Sequence, residues 1–310
     1  MKYYQLKLAE FIARFFPRRM AYGVARRLAD IYFQFDRRGR EAVISNLRRI
    51  HGYRGVHLTD RALRALAREN FLNFAKYLVD FFHFLHLSKE RAHRLIDFAN
   101  LRETLNGCLR HGRGLIVVTA HLGNWELGAA AVAQSGYPLN AVALWQPDPK
   151  LNELYQSYRK AREIRPIPFG RAARGCLAAL RRNEIVAVVG DRDYTASRDT
   201  VEFFGQPARL PTGPAKLAVA TGAPLVCVFL VRQEDDTYRY VVCDPLPPGQ
   251  DSQTVVMQHI ARDLERVILQ HSEQWYLFHD LWDIEEDRTL AHQAAFGEPT
   301  AKPATSDARA

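Results

Sequence analysis

The sequence predicts an α/β protein, a mostly parallel central sheet flanked by helices, preceded by an amphipathic helical N-terminal region. Two patterns predict it. From about residue 112, short apolar runs alternate with stretches of helical periodicity, the order that builds a parallel sheet covered on both faces. The runs are mostly apolar, as in Leu115-Ile-Val-Val-Thr-Ala120, which suits strands buried on both sides. Upstream, apolar and basic residues recur together at helical spacing. The chain thus divides into a basic helical region at 1–111, an α/β core at 112–284 and a tail at 285–310.

Taken in order, residues 3–36 read as amphipathic helices broken near Pro17. Apolar positions at Leu6, Phe11, Ile12 and Phe15, then Val24, Leu28, Ile31 and Tyr32, are interleaved with Arg and Lys. The pattern fits a helix in a membrane interface and a helical layer on a protein core equally well. A further helix is predicted over 39–50, and a longer one over 59–87 with Thr59 or Asp60 as N-cap. His83 and His86 share a face of it; with no third ligand in the pattern they read as packed or interfacial side chains. The core then predicts strands at 114–120, 139–144, around Ile167, 185–189, 224–232 and 238–243. Helices are predicted at 124–135, 150–162, 171–182, 213–221 and 251–271. Residues 285–310, rich in Ala, Pro, Thr and charge without periodicity, predict a disordered tail.

The charge is uneven. Residues 1–60 carry 13 Lys or Arg against 5 acids, so +8 of the net +9 sits in the first fifth of the chain. Such a region meets a polyanion, either an anionic membrane or nucleic acid. Interleaving with Leu, Phe and Ile at helical spacing favours lipid, and no nucleic-acid motif is present. Cys108, Cys176, Cys227 and Cys243 show no CxxC spacing, which argues against a zinc site or a disulfide framework. No apolar run reaches transmembrane length, and the first ten residues are too polar for a signal peptide.

One hexapeptide carries chemistry: His121-Leu-Gly-Asn-Trp-Glu126, directly after the run 115–120. A histidine can take a proton from an alcohol, and a carboxylate can hold its ring. The spacing alone is weak, because about one His-x4-acid pair is expected by chance at this composition. Five residues of helix turn by about 500°, so the two side chains converge only if His121 lies in a turn and Glu126 in the following helix. Gly123 and Asn124 suit that turn and cap. The alternative is a carboxylate on the helix dipole beside a surface histidine.

The hexapeptide resembles the H-x4-[D/E] block of the glycerolipid acyltransferase superfamily. It is most similar to the branch holding the late lipid A (lauroyl/myristoyl) and phosphatidylinositol mannoside acyltransferases. Further blocks carry the resemblance in order: Arg40-Glu-Ala-Val-Ile-Ser-Asn-Leu47, Arg159 and Arg162, Asp191-Arg-Asp193, Phe204-Gly-Gln-Pro-Ala-Arg-Leu-Pro-Thr-Gly213 and Gly222-Ala-Pro-Leu-Val226. It spans roughly residues 1–285. The chain departs from many lipid A enzymes in lacking an initial spanning helix, and Gln274-Trp-Tyr-Leu-Phe-His-Asp-Leu-Trp282 looks at least as much like the mannoside-acylating type.

The resemblance implies an enzyme that moves a fatty acyl group from a thioester on acyl carrier protein or coenzyme A to a hydroxyl of a membrane lipid. The acceptor is foremost a lipid A precursor, with a phosphatidylinositol mannoside or lysophospholipid as the alternative. His121 is expected as general base, with Glu126 orienting and charge-stabilising its ring. Backbone N–H groups at Gly123 and Asn124 are candidate oxyanion donors. Arg159 and Arg162, at i and i+3, suit phosphates of acceptor or carrier, or form a solvated basic face. Asp191 pairs with a site arginine or stands in a plain turn. Thr212 reads as an N-cap whose helix end can also receive a phosphate. No G-x-S-x-G elbow occurs, which argues against a serine acyl-enzyme. Neither metal nor cofactor is expected, the acyl thioester being a co-substrate. The expected location is peripheral, on the cytoplasmic face of a bacterial inner membrane.

Overall fold

In a computed structural model, the described residues are 2–84, 90, 94–144, 146, 148–193, 200–249 and 252–283. His86, the last turn of the helix expected over 59–87, and the tail at 285–310 lie outside them.

The N-terminal third is helical as expected. Helices α1 (Lys2–Phe15) and α2 (Arg18–Phe35) are separated at Pro17. Asp36 then caps α3 (Arg37–Tyr53) by accepting from the Gly39 N–H, and Thr59 caps α4 (Asp60–His83) by accepting from that of Ala62. Among the described residues no helix is long and apolar enough to cross a membrane.

The core is a seven-stranded sheet in the order β1-β9-β8-β2-β5-β3-β4. Its strands are β1 (Ile96–Asp97), β2 (Leu115–Thr119), β3 (Leu139–Ala143), β4 (Arg165–Pro168), β5 (Ile185–Val189), β8 (Leu225–Arg232) and β9 (Tyr238–Val242). Every neighbouring pair is parallel except β8 with β9. The faces are covered by helices α5 (Ala99–Leu109), α6 (Trp125–Gln134), α7 (Pro149–Ala161), α8 (Ala172–Arg181), α9 (Gly213–Thr221) and α10 (Gln253–Gln270). Burial follows from this two-sided cover: all eight residues of β8 are buried, the outcome expected for a strand with helices on both faces.

Among the described residues, elements additional to the sequence reading include β1, α5 and a hairpin of β6 (Val201–Phe203) with β7 (Gln206–Ala208). The hairpin turns at Phe204 and Gly205, both with positive φ, the conformation of a type I′ turn. The Glu265 carboxylate accepts the Phe204 N–H and so holds a residue type that rarely adopts this conformation.

Two polar devices bind the helical layer to the core. Asp80 of α4 is fully buried and accepts from Arg18 (2.9 and 3.1 Å), Tyr22 (2.6 Å), Arg232 (2.9 Å) and Tyr238 (2.5 Å). A buried carboxylate survives only with such donors, and this one joins α2 and α4 to β8 and β9. The second device is a trio of asparagines. Asn46 of α3 donates to the Leu277 and His279 carbonyls and accepts from the Leu281 N–H. Asn70 and Asn73 of α4 donate to the carbonyls of Trp275 and Glu273. Together they fix the segment 272–282 as a strap across the carboxyl ends of the strands.

Candidate active site

The register of two parallel neighbours builds the site. Strand β2 pairs with β5 from Leu115↔Ile185 to Thr119↔Val189. Two residues past each strand end stand His121 and Asp191, at equal offset and therefore side by side. Gly190 N–H donates to the Thr119 carbonyl at 2.7 Å, which extends the ladder one step. The His121 N–H then donates to Asp191 Oδ2 at 2.9 Å, and its ring Nδ1 meets Oδ1 at 2.8 Å. The indole N–H of Trp275, on the strap, gives Oδ2 a second bond at 2.8 Å. Burial opposes charge on Asp191; the imidazole, the Trp275 N–H and the His121 N–H outweigh it and hold its pKa below the usual carboxylate value. An ionised carboxylate on Nδ1 selects the Nδ1–H tautomer and leaves Nε2 as the proton acceptor.

The partner of the imidazole is thus Asp191, where the spacing had suggested Glu126. The Glu126 carboxylate accepts from Arg159 Nη2 at 2.9 Å. Its first-turn place on α6 carries it away from the turn that holds His121. Gly123 and Asn124 also serve otherwise than as oxyanion donors, because both N–H groups are spent. Gly123 donates to the Gln274 carbonyl at 2.9 Å and Asn124 to that of Leu230 at 2.8 Å. Gly123 has φ +62°, and a Cβ there would sit 2.1 Å from the Leu230 oxygen, so only glycine fits. The Asn124 side chain caps α6 through the Leu127 N–H and donates to the Tyr238 hydroxyl.

The two arginines part company. Arg159 stays on α7 and lines the cavity described below. Arg162 lies past the last helical residue, is buried, and donates to the Phe81 carbonyl while covering that ring at 4.6 Å. They form no common basic face. Asp193 pairs with Arg209 at 3.2 Å. Thr212 precedes α9 in helical conformation (φ −80°, ψ −10°), and its side chain makes no capping bond; the β-region backbone that aims an N-cap hydroxyl is missing. His83, read from the sequence as a packed or interfacial side chain, bonds the Ala13 carbonyl at 3.0 Å.

Beside His121 opens a cavity of about 560 Å³. Its origin is a parting of strands. Strands β3 and β5 pair only from Leu139↔Ile185 to Ala141↔Ala187, while β3 stays with β4 to Ala143 and β5 with β2 to Val189. Ala141, Val142, Ala187 and Val188, pointing to opposite faces of the sheet, therefore line one space. Leu177 of α8 and Leu217 of α9 continue the apolar wall. At the His121 end stand Trp125 and Tyr77, stacked at 4.5 Å and 14°, with the Trp125 ring 5.1 Å from the imidazole. The His121 side chain is 24% exposed, enough for Nε2 to meet a ligand.

Fold and site together define a class, an α/β enzyme with an imidazole–carboxylate pair at the strand ends beside a largely apolar cavity, the equipment of acyl transfer. Residues 6–283 match the family model of the bacterial lipid A biosynthesis acyltransferases, and the chain belongs to that family. It is 26% identical over 286 residues to a phosphatidylinositol mannoside acyltransferase of Mycolicibacterium smegmatis, covering 89% of this chain and 90% of that one. The phosphatidylinositol mannoside acyltransferase of Mycobacterium tuberculosis H37Rv is 26% identical over 260 residues, with 81% and 80% covered. A lipid A biosynthesis lauroyltransferase of Escherichia coli K12 is 28% identical over 174 residues, with 54% and 55% covered. The chain is an acyltransferase, as the hexapeptide and its accompanying blocks implied.

Proposed function

We propose that the protein transfers a fatty acyl group from an acyl thioester, on acyl carrier protein or coenzyme A, to a hydroxyl of a sugar-headed membrane lipid. A lipid A precursor and a phosphatidylinositol mannoside are the acceptors suggested by the relatives' names. The observation that carries the reading is the His121–Asp191 pair at one end of an apolar cavity of about 560 Å³, within the size range of small-molecule sites. His121 Nε2 takes the hydroxyl proton as the oxygen attacks the thioester carbonyl, and Asp191 stabilises the imidazolium. The acyl chain occupies the space between β3 and β5.

The amphipathic helices supply the membrane contact. On α2 the buried Ala21, Tyr22, Ala25 and Ala29 face inward. Met20, Val24, Leu28, Ile31 and Phe35 point out, Phe35 being 81% exposed, with Arg19, Arg26 and Arg27 exposed beside them. Phe11 and Phe15 extend this apolar surface on α1. Exposed apolar side chains flanked by arginine suit an anionic bilayer surface, the cytoplasmic leaflet of a bacterial inner membrane.

The test is incubation with radiolabelled acyl carrier protein and coenzyme A thioesters and a panel of lipid A precursor, mannoside and lysophospholipid acceptors. Transfer is expected to one glycolipid class and to vanish in folded His121→Ala. Release of free fatty acid alone, or undiminished transfer by that variant, refutes the reading. Flotation with anionic but not zwitterionic vesicles checks the membrane contact, with DNA retention as the contrary result.

A further inference from the structure

Acyl transfer places a negative charge on the thioester oxygen, and that charge needs donors already in position. The N–H groups of Gly123 and Asn124, the donors expected from the sequence, are committed to carbonyls. Among the described residues, three Lys or Arg side chains line the cavity: Arg159, Arg192 and Lys216. Lys216 is exposed in the first turns of α9. Arg159 is different. Its side chain is 15% exposed, and the equally buried Glu126 clamps it at 2.9 Å through Nη2. A guanidinium has five N–H groups in a fixed fork, so four remain after that bond. Burial works against its charge, but the Glu126 carboxylate outweighs burial and raises the Arg159 pKa. The pair shares its cavity with the base: Glu126, Arg159 and His121 all line it, as does Trp125, whose ring lies 5.1 Å from the imidazole. The cavity is therefore flanked by two carboxylate-held groups, Asp191 with His121 and Glu126 with Arg159.

We propose that Arg159, oriented by Glu126, is the oxyanion donor of the reaction. The inference rests on the acyl-transfer reading and gives the second half of the His121–Glu126 motif a role of its own. The acceptor oxygen forms a bond to the carbonyl carbon as its proton passes to His121 Nε2, and the C=O electron pair moves onto oxygen, where Arg159 N–H groups receive it. Collapse restores C=O and breaks C–S. The sulfur leaves with its electron pair and takes the proton from His121, giving a thiol and an ester. Arg159 touches the reacting oxygen; Glu126 is a positioning residue that acts through it.

The experiment measures kcat and the acceptor KM at saturating acyl donor, and thiol release from the donor with water as the only acceptor. Arg159→Gln is expected to lower kcat by about 10²–10³-fold and to slow hydrolysis in parallel, with the acceptor KM nearly unchanged. Arg159→Lys recovers part of the loss, and Glu126→Gln falls between. A headgroup contact gives the opposite split: a raised acceptor KM with kcat and hydrolysis kept, which overturns the proposal. So does the full loss appearing in Arg192→Gln in place of Arg159→Gln. The double variant Glu126→Gln/Arg159→Gln removes the unpaired buried carboxylate; recovery of kcat there shows the pair to be structural only and also overturns it. His121→Ala separates the two claims. Its failure to abolish transfer sinks the acyl-transfer mechanism, whereas a dead His121→Ala beside a normal Arg159→Gln sinks only the oxyanion assignment.

Discussion

Replacing Asp191 by asparagine inverts the chemistry of the imidazole while keeping its shape. In the native site Oδ2 accepts two N–H groups, from the His121 backbone and Trp275, and Oδ1 accepts Nδ1–H. Asparagine has one carbonyl oxygen and one amide nitrogen. The two fixed N–H donors claim the oxygen, so the NH₂ faces Nδ1. The ring then accepts at Nδ1, carries its proton on Nε2, and loses its function as a base. The same exchange in a Ser-His-Asp triad lowers kcat about 10⁴-fold, and a loss of about 10³–10⁴-fold is expected here, or about 4–5 kcal/mol of transition-state stabilisation. The assay is transfer of a radiolabelled acyl group at saturating donor and acceptor, with ¹⁵N resonances of His121 reporting the tautomer. Glu126→Gln is the control: it leaves the Nδ1–H tautomer unchanged. Near-normal kcat in Asp191→Asn together with a switched tautomer in Glu126→Gln would refute the assignment of Asp191 to the ring.

Three other outcomes are expected. Gly123→Ala combines positive φ with a collision against the Leu230 carbonyl and should cost about 3 kcal/mol or more, read as a lowered thermal midpoint; native-like stability contradicts the geometry. Cys176 lines the cavity, but burial pushes its thiol up to about 11, so only about one molecule in a thousand is thiolate at pH 8. Cys176→Ala should keep transfer within about threefold of the parent, and an acyl-cysteine trapped at this residue would contradict that. Burial raises the Asp80 pKa and Arg232 and Arg18 outweigh it, for a net depression. The stability it contributes is therefore fully present above the unfolded value near pH 4 and lost as pH falls through the lower native value. The thermal midpoints of parent and Asp80→Asn should differ most at neutral pH and converge toward pH 3; a gap that widens in acid reverses the sign.

The architecture was legible where burial is two-sided. Strands β2, β5 and β8 consist of apolar residues with few exceptions, and the helices between them keep their period. Helix α5 was not, although Leu101, Leu105 and Cys108 form its buried stripe. Asn100, Thr104, Asn106 and Gly107 are weak helix formers, and the stripe is held by packing on the sheet. Strand β1 has two residues, too few for alternation to register. The hairpin at 201–208 turns on Phe204, which no local preference predicts, because its positive φ is held by Glu265 from a distant helix.

The candidate site shows the same division between local and remote information. His121 was readable because a strand, a glycine and a capping asparagine surround it in the chain. Its carboxylate partner depends on strand order. If the strands lay side by side in chain order, β2 would neighbour β3 alone on that side, and the position level with His121 would fall near residue 145, a tryptophan. The chain instead runs out through β3 and β4 and returns, so that β5 inserts between β2 and β3. That return sets Asp191 level with His121, and the later parting of β3 from β5 leaves the cavity beside the pair. It also releases Glu126 to hold Arg159. A motif of fixed spacing thus brings two side chains to one cavity without implying that they touch; which groups they touch is decided by register.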